Sequence, residues 1–224
     1  MIKFMRLKNN IEMKYDDILF DLDGTLTESA EGIVNSVMYT LDRYGIAVRD
    51  RNELYRFVGP PLAEMFASYC GFSAEEGRKA VEVYREYYAK RGIFENRLYD
   101  GIAELLADLK KSGRRIFLAT SKPEIFAKKI LEHYGVIQYF NGVVGSELNG
   151  ARTDKSEIIA LVKEKFGIGN AVMVGDRCYD VSGSQECGLP CIGVLYGYGS
   201  REELDGAAAI AETVAELGDM LLKE

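Results

Sequence analysis

Histidine occurs once in these 224 residues, and cysteine and proline four times each. Cys70, Cys178, Cys187 and Cys191 form no C-x-x-C pair, and His133 stands far from them in sequence, so no zinc site is expected. Free thiols in a reducing cytoplasm are the simplest reading. No run approaches the roughly 18 apolar residues a membrane span needs. The first residues, "MIKFMRLKNNIE", lack the apolar stretch of a secretion signal and read as an N-terminal arm over 1–12. Internal repeats and low-complexity segments are missing too. Basic charge is scarce: 28 Lys and Arg face 35 Asp and Glu, a net charge of −7. That balance argues against nucleic acid or an anionic membrane as partner.

The chain has a composition of 47% hydrophobic and 28% charged residues, ordinary for a protein that buries a core without staples. The apolar run before Asp21 predicts a strand over Tyr15–Asp21. From Glu31 to Asn96 the spacing is helical, with Ile33, Val37, Leu41 and Tyr44 at helical intervals. "GPP" (Gly59–Pro61) breaks this block, and Ser73 with Glu76 predicts a capping box for a helix to about Arg91. Beyond Asp100 the rhythm changes. Strands at Arg115–Ala119, Gly142–Val144, Ala171–Val174 and Cys191–Val194, with a β-like stretch near Ala207–Ile210, alternate with helices. That alternation means an α/β fold with a parallel sheet covered on both faces. The strandless block reads as an inserted cap domain, residues 30–95. The core is then 13–29 and 96–224.

Ligands of open parallel sheets bind beyond the carboxyl ends of the strands. The first strand delivers Asp21 and Asp23 there, the next Thr120 and Ser121, and the one ending at Val174 delivers Gly175, Asp176 and, a turn on, Asp180. Lys155 opens the helix after the third strand, a place where the helix dipole disfavours a cation. Carboxylates that converge stay ionised only around a cation, and hard oxygen ligands of this kind suit Mg²⁺. Structural alternatives stand beside these roles. Asp23 could serve a plain turn, Asp180 a helix first turn, Lys155 the exposed surface, and Ser121 a capping box with Glu124. Tyr84, Tyr87 and Tyr88 read as cap packing; Arg49, Arg51 and Arg78 read as solvated surface.

"DLDGT" (Asp21–Thr25), Thr120 after an apolar strand, Lys155 opening a helix and "GDRCYD" (Gly175–Asp180) resemble, in order and context, the four motifs of the haloacid dehalogenase-like hydrolase superfamily. "GPPL" (Gly59–Leu62) and "GVLYGYGSREEL" (Gly193–Leu204) are similar to its phosphoglycolate phosphatase-like branch. The resemblance implies a Rossmann-like, doubly wound parallel sheet of order 5-4-1-2-3 with a helical cap. It also implies Mg²⁺-dependent hydrolysis of a small phosphorylated metabolite. Asp21 is then the nucleophile that carries the phosphoryl group, and Asp23 the general acid and base. Asp21, Asp176, Asp180 and the Asp23 carbonyl are the metal group; Thr120, Ser121, Lys155 and Gly24 hold phosphate. Arg56, Gly59 and Pro60 are cap candidates for substrate selection. Phosphoglycolate is the first substrate expected, with nucleoside 5′-monophosphates, pyrophosphate, sugar phosphates and a phosphomutase reaction as alternatives. A signalling receiver domain fits poorly, because its acceptor aspartate ends the third strand. The expected assembly is a monomer or weak dimer.

Overall fold

A computed structural model describes residues 15–222; the arm expected at 1–12 lies outside them. Strands β1 (Asp17–Phe20), β4 (Arg115–Pro123), β5 (Gly142–Ser146), β6 (Ala171–Gly175), β7 (Cys191–Val194) and β8 (Ala209–Ala211) form one sheet. Its order is β5-β4-β1-β6-β7-β8 and every pairing is parallel. Counted along the chain, the first five strands lie in the expected order, and β8 extends the edge beyond β7. Side chains alternate across this sheet because successive strand residues point to opposite faces. Ile18 and Phe20 join one core cluster, Leu19 the other. The same division separates Val172 and Val174 from Met173.

One face is covered by α4 (Ile102–Lys111), α5 (Glu124–His133) and α8 (Val214–Leu222), and the other by α6 (Lys155–Phe166) and α7 (Cys178–Glu186). Residues 30–95 hold α1 (Ala30–Arg43), a 3-10 helix (Arg51–Phe57), α2 (Leu62–Cys70) and α3 (Ala74–Tyr88), with no strand. Ser73 and Glu76 form the capping box at the start of α3. The chain enters and leaves this block through a two-stranded antiparallel ribbon, β2 (Thr27–Glu28) with β3 (Arg97–Leu98). Phe57, Phe66, Ala80 and Tyr84 continue the α4/α5 core cluster into the block. The four cysteines are free thiols. Among the described residues no helix is long and apolar enough to cross a membrane.

One local expectation is corrected. β4 does not stop at Ala119 but runs to Pro123, with a register shift between Thr120 and Pro123. The cause is Pro123, which disfavours helical backbone at the residue before it and so keeps the chain extended. Helix α5 therefore begins at Glu124 with no side-chain cap, and Ser121 cannot form the capping box. That leaves Thr120, Ser121 and Lys122 strung along the carboxyl edge of the sheet.

At the opposite end of β1, Asp17 is 1% exposed and accepts from Arg115 Nε and Nη2, each at 2.6 Å, and from the Gly169 N–H at 3.0 Å. Asp17→Asn keeps the shape but loses the charge-assisted pair. Urea unfolding should show about 1.5–3 kcal/mol less stability. Turnover should be unchanged, since the pair sits at the far edge of the sheet.

Candidate active site

The carboxyl ends of β1, β4 and β6 meet at one buried group of charges. Asp21 follows β1 and donates its N–H to the Val174 carbonyl at 2.9 Å, which locks it beside β6. Lys155 is 5% exposed, and its Nζ lies 2.9 Å from Asp21 Oδ1 and 2.8 Å from Asp180 Oδ1. It also donates to the Ala119 carbonyl at 3.2 Å. Asp154 caps α6 from the preceding position, accepting from the N–H groups of Ser156 and Glu157. The helix start is thereby satisfied by Asp154, and the lysine is free to face the carboxylates. Burial alone would lower the Lys155 pKa; Asp180 and Asp21 more than offset this and hold it above its ordinary value.

Asp176 is fully buried at the end of β6. It accepts Thr25 Oγ1 at 3.2 Å and the Tyr198 N–H at 2.8 Å. Gly24, at φ +85°, packs so close to Asp176 that a Cβ there would strike the carboxylate. Its N–H is spent on the Thr27 carbonyl at 2.8 Å. Gly24 thus shapes the Asp176 pocket. Burial, then the charges of Asp180 and Asp21, push the Asp176 carboxyl up to about 8. Asp180, 1% exposed, is pushed up to about 6, with burial opposed by Lys155.

One oxygen from each of Asp21, Asp176 and Asp180 lies within 4.8 Å of the others. Three carboxylates against one ammonium leave an excess of negative charge in a buried space, which adds to burial in raising the Asp176 pKa. A hard divalent cation supplies the charge that is missing, so the donor set fits Mg²⁺.

Asp23 is paired differently from its neighbours. Its Oδ2 accepts from Lys122 Nζ at 2.6 Å, and both side chains are largely buried. Its Oδ1 is buried with no hydrogen-bond partner among the described residues. A cavity of 440 Å³ opens here, lined by Asp21, Asp23, Thr120, Ser121, Lys122, Lys155 and Asp180 on the core side. The cap closes it with Phe57, Gly59, Pro60, Leu62, Val81, Tyr84, Arg85 and Tyr88. Gly59 and Pro60 therefore face the site. Arg56 does not: it is exposed, over the Tyr69 ring at 5.9 Å, and lines no part of the cavity. Tyr84 and Tyr88 pack inside the cap as expected but also form the cavity wall, whereas Tyr87 bonds Glu95 outside it.

Several contacts of the site have no local signature in the sequence. Lys122 is one, although "TSKP" placed it on the same strand end as Thr120. Arg177 is another: its Nη1 donates to the Val58 carbonyl at 2.7 Å and its Nε to Glu203 at 2.8 Å. The Tyr198 hydroxyl accepts from the N–H groups of Ser29 and Ala30 at 2.6 and 2.8 Å, where α1 begins. The "GYGS" stretch was visible in the sequence without a task.

A family model described as haloacid dehalogenase-like hydrolase matches residues 18–194. A 5′-nucleotidase of Pseudomonas aeruginosa is 44% identical over 86% of this chain and 88% of its own. The tyrosine-protein kinase PtkA of Mycobacterium tuberculosis is 40% identical over 91% of this chain and 70% of its own. The crystal structure of a predicted phosphatase from Clostridium acetobutylicum superposes with a TM-score of 0.88 at 47% identity, covering 92% of this chain and 97% of that one.

The folded protein without metal holds a proton on Asp176 up to about pH 8, while an unfolded aspartate releases it near ~4. Between these values the native state binds more protons, so stability falls as pH rises. In EDTA the melting temperature should therefore drop from about pH 5 to about pH 8. Millimolar Mg²⁺ should flatten the profile and stabilise most at the alkaline end. A profile that Mg²⁺ leaves unchanged would contradict the cluster's assignment to a cation.

Proposed function

With the premise that the chain belongs to the haloacid dehalogenase-like hydrolase family, we propose that it cleaves small phosphomonoesters through an aspartyl-phosphate on Asp21. Its cofactor is Mg²⁺ and its preferred substrates are nucleoside 5′-monophosphates. One observation carries the substrate reading: the 440 Å³ cavity beyond Asp21. That volume lies within the roughly 300–1,000 Å³ range of pockets that enclose drug-sized ligands. A two-carbon acid would leave most of it unfilled, and its far wall of Phe57, Leu62, Val81 and Tyr84 suits an apolar, planar body. The 5′-nucleotidase relative supports the same reading.

Asp21, anchored by Lys155, attacks phosphorus while the bond to the ester oxygen breaks. The departing oxygen takes its proton from Asp23, which Lys122 holds at the cavity wall. The Asp23 carboxylate then removes a proton from water, water attacks phosphorus, and the bond to Asp21 breaks to release inorganic phosphate. Thr120 and Ser121 on the β4 edge, with Lys155, hold phosphate oxygens. The cap wall limits water during the first step. Asp21, Asp176 and the Asp23 carbonyl, with Asp180 in support, would hold Mg²⁺, which would supply positive charge against the repulsion between carboxylate and phosphate. Splitting one displacement into two is the gain from covalent catalysis.

A second reading has its own observation. Lys122 and Arg85 both line the cavity, and two cations there suit a second anionic group such as the carboxylate of phosphoglycolate. A panel of AMP, phosphoglycolate, pyrophosphate and glucose 1-phosphate, read as phosphate release with Mg²⁺, separates these readings and the phosphomutase alternative. AMP should lead in kcat/KM by about tenfold or more; a lead for phosphoglycolate would overturn the substrate reading. Asp21→Asn should lower kcat by more than ~10³-fold with the melting temperature kept, and wild-type turnover by that variant would overturn the mechanism.

A further inference from the structure

Tyr88 ends α3 and is 2% exposed. Its ring is fixed on three sides. It stacks on Tyr84 at 5.3 Å and 16°, meets the edge of Phe126 at 5.4 Å, and carries Lys122 Nζ 5.0 Å from its centroid. Its hydroxyl is buried and has no hydrogen-bond partner among the described residues. Leaving a buried hydroxyl unpaired is costly, and packing alone does not call for it, since phenylalanine would make the same ring contacts. Asp23 Oδ1 shares the condition, and both residues line the same cavity. Lys122 links them, with its ammonium on Asp23 Oδ2 and beside the Tyr88 ring.

The position of this hydroxyl decides what it can meet. Phosphate oxygens belong at the Asp21, Thr120 and Lys155 end. Tyr88 comes from the cap, above the Lys122–Asp23 pair, on the side where the organic part of the ester must lie. We propose that Tyr88 is a specificity-determining residue whose hydroxyl hydrogen-bonds an oxygen on the organic part of the substrate. The enzyme thereby selects phosphate esters of sugars over esters with no oxygen beyond the ester itself. This inference rests on the nucleotide reading and deepens it: the ribose of a nucleoside 5′-monophosphate supplies the oxygen, and the ring wall takes the base. Burial, together with the nearby Asp23 charge, keeps the phenol well above its ordinary pKa, so it stays available as a donor.

The test compares wild type with Tyr88→Phe on AMP, ribose 5-phosphate and phenyl phosphate, with Mg²⁺ present. The variant should lose about tenfold more kcat/KM on the two sugar esters than on phenyl phosphate, mostly through KM. An equal loss on all three, with a lower melting temperature, would mark Tyr88 as structural and overturn the proposal; so would no loss at all. If wild type cleaves ribose 5-phosphate but not AMP, and Tyr88→Phe still loses more on ribose 5-phosphate than on phenyl phosphate, the nucleotide reading fails and the role of Tyr88 stands. If wild type does not favour sugar esters over phenyl phosphate, the role of Tyr88 fails whatever the variant does.

Discussion

The ammonium of Lys155, buried between Asp21 and Asp180, is the interaction on which the site depends. At 2.9 and 2.8 Å it touches both carboxylates. Three acids whose oxygens approach within 4.8 Å would otherwise repel one another strongly in so buried a place. Removing the lysine would leave buried carboxylates uncompensated, costing about 3–5 kcal/mol. One lysine is still too little positive charge for three carboxylates. The acids therefore lie close enough to suit a divalent cation, and without one burial and the neighbouring charges keep a proton on Asp176 to about pH 8. The same lysine fixes where the proposed nucleophile stands, because Asp21 is held between its own N–H bond to β6 and the lysine of α6.

The neighbours of Asp176 carry this arrangement out to the cap. Tyr198 gives its N–H to Asp176 and lends its hydroxyl oxygen to the first N–H groups of α1. Arg177, next in sequence to Asp176, reaches the Val58 carbonyl just before the Gly59–Pro61 loop. Tyr196 adds a bond from its hydroxyl to the Thr25 carbonyl at 3.1 Å. Both the entry to the cap and its inner loop are therefore tied to groups within two residues of Asp176 or packed on it. An enzyme that must shut out water while choosing a substrate needs such a tie, since the wall that selects comes from the cap and the charge that reacts comes from the core.

Much of this was legible in the residues themselves, for physical reasons. Apolar runs followed by carboxylates or hydroxyls marked the strand ends, and parallel-sheet topology brings such ends together. Lys155 stood out by breaking the helix-dipole preference, and Asp154 beside it explained how the helix tolerates it. Pro123 carried enough information to extend β4, but the Ser121–Glu124 spacing suggested a cap that the proline forbids. What could not be read were pairings with no local signature. Lys122 meets Asp23 across 99 residues, Arg177 meets Val58 across 119, and Tyr198 meets Ser29 across 169. Nothing in the pattern around Arg56 distinguishes it from a site residue. Only the packing of its neighbours Leu54 and Phe57 into the core turns it toward solvent.

The central claim is that the Lys155-held carboxylates form one divalent-cation site that includes the nucleophile. Locating the ion tests it most directly. A crystal grown with Mn²⁺ in place of Mg²⁺ and measured by anomalous scattering should show one strong peak bonded to oxygens of both Asp21 and Asp176, with the Lys155 ammonium still against Asp180. A peak elsewhere on the molecule, or none among these carboxylates at saturating Mn²⁺, would contradict the account.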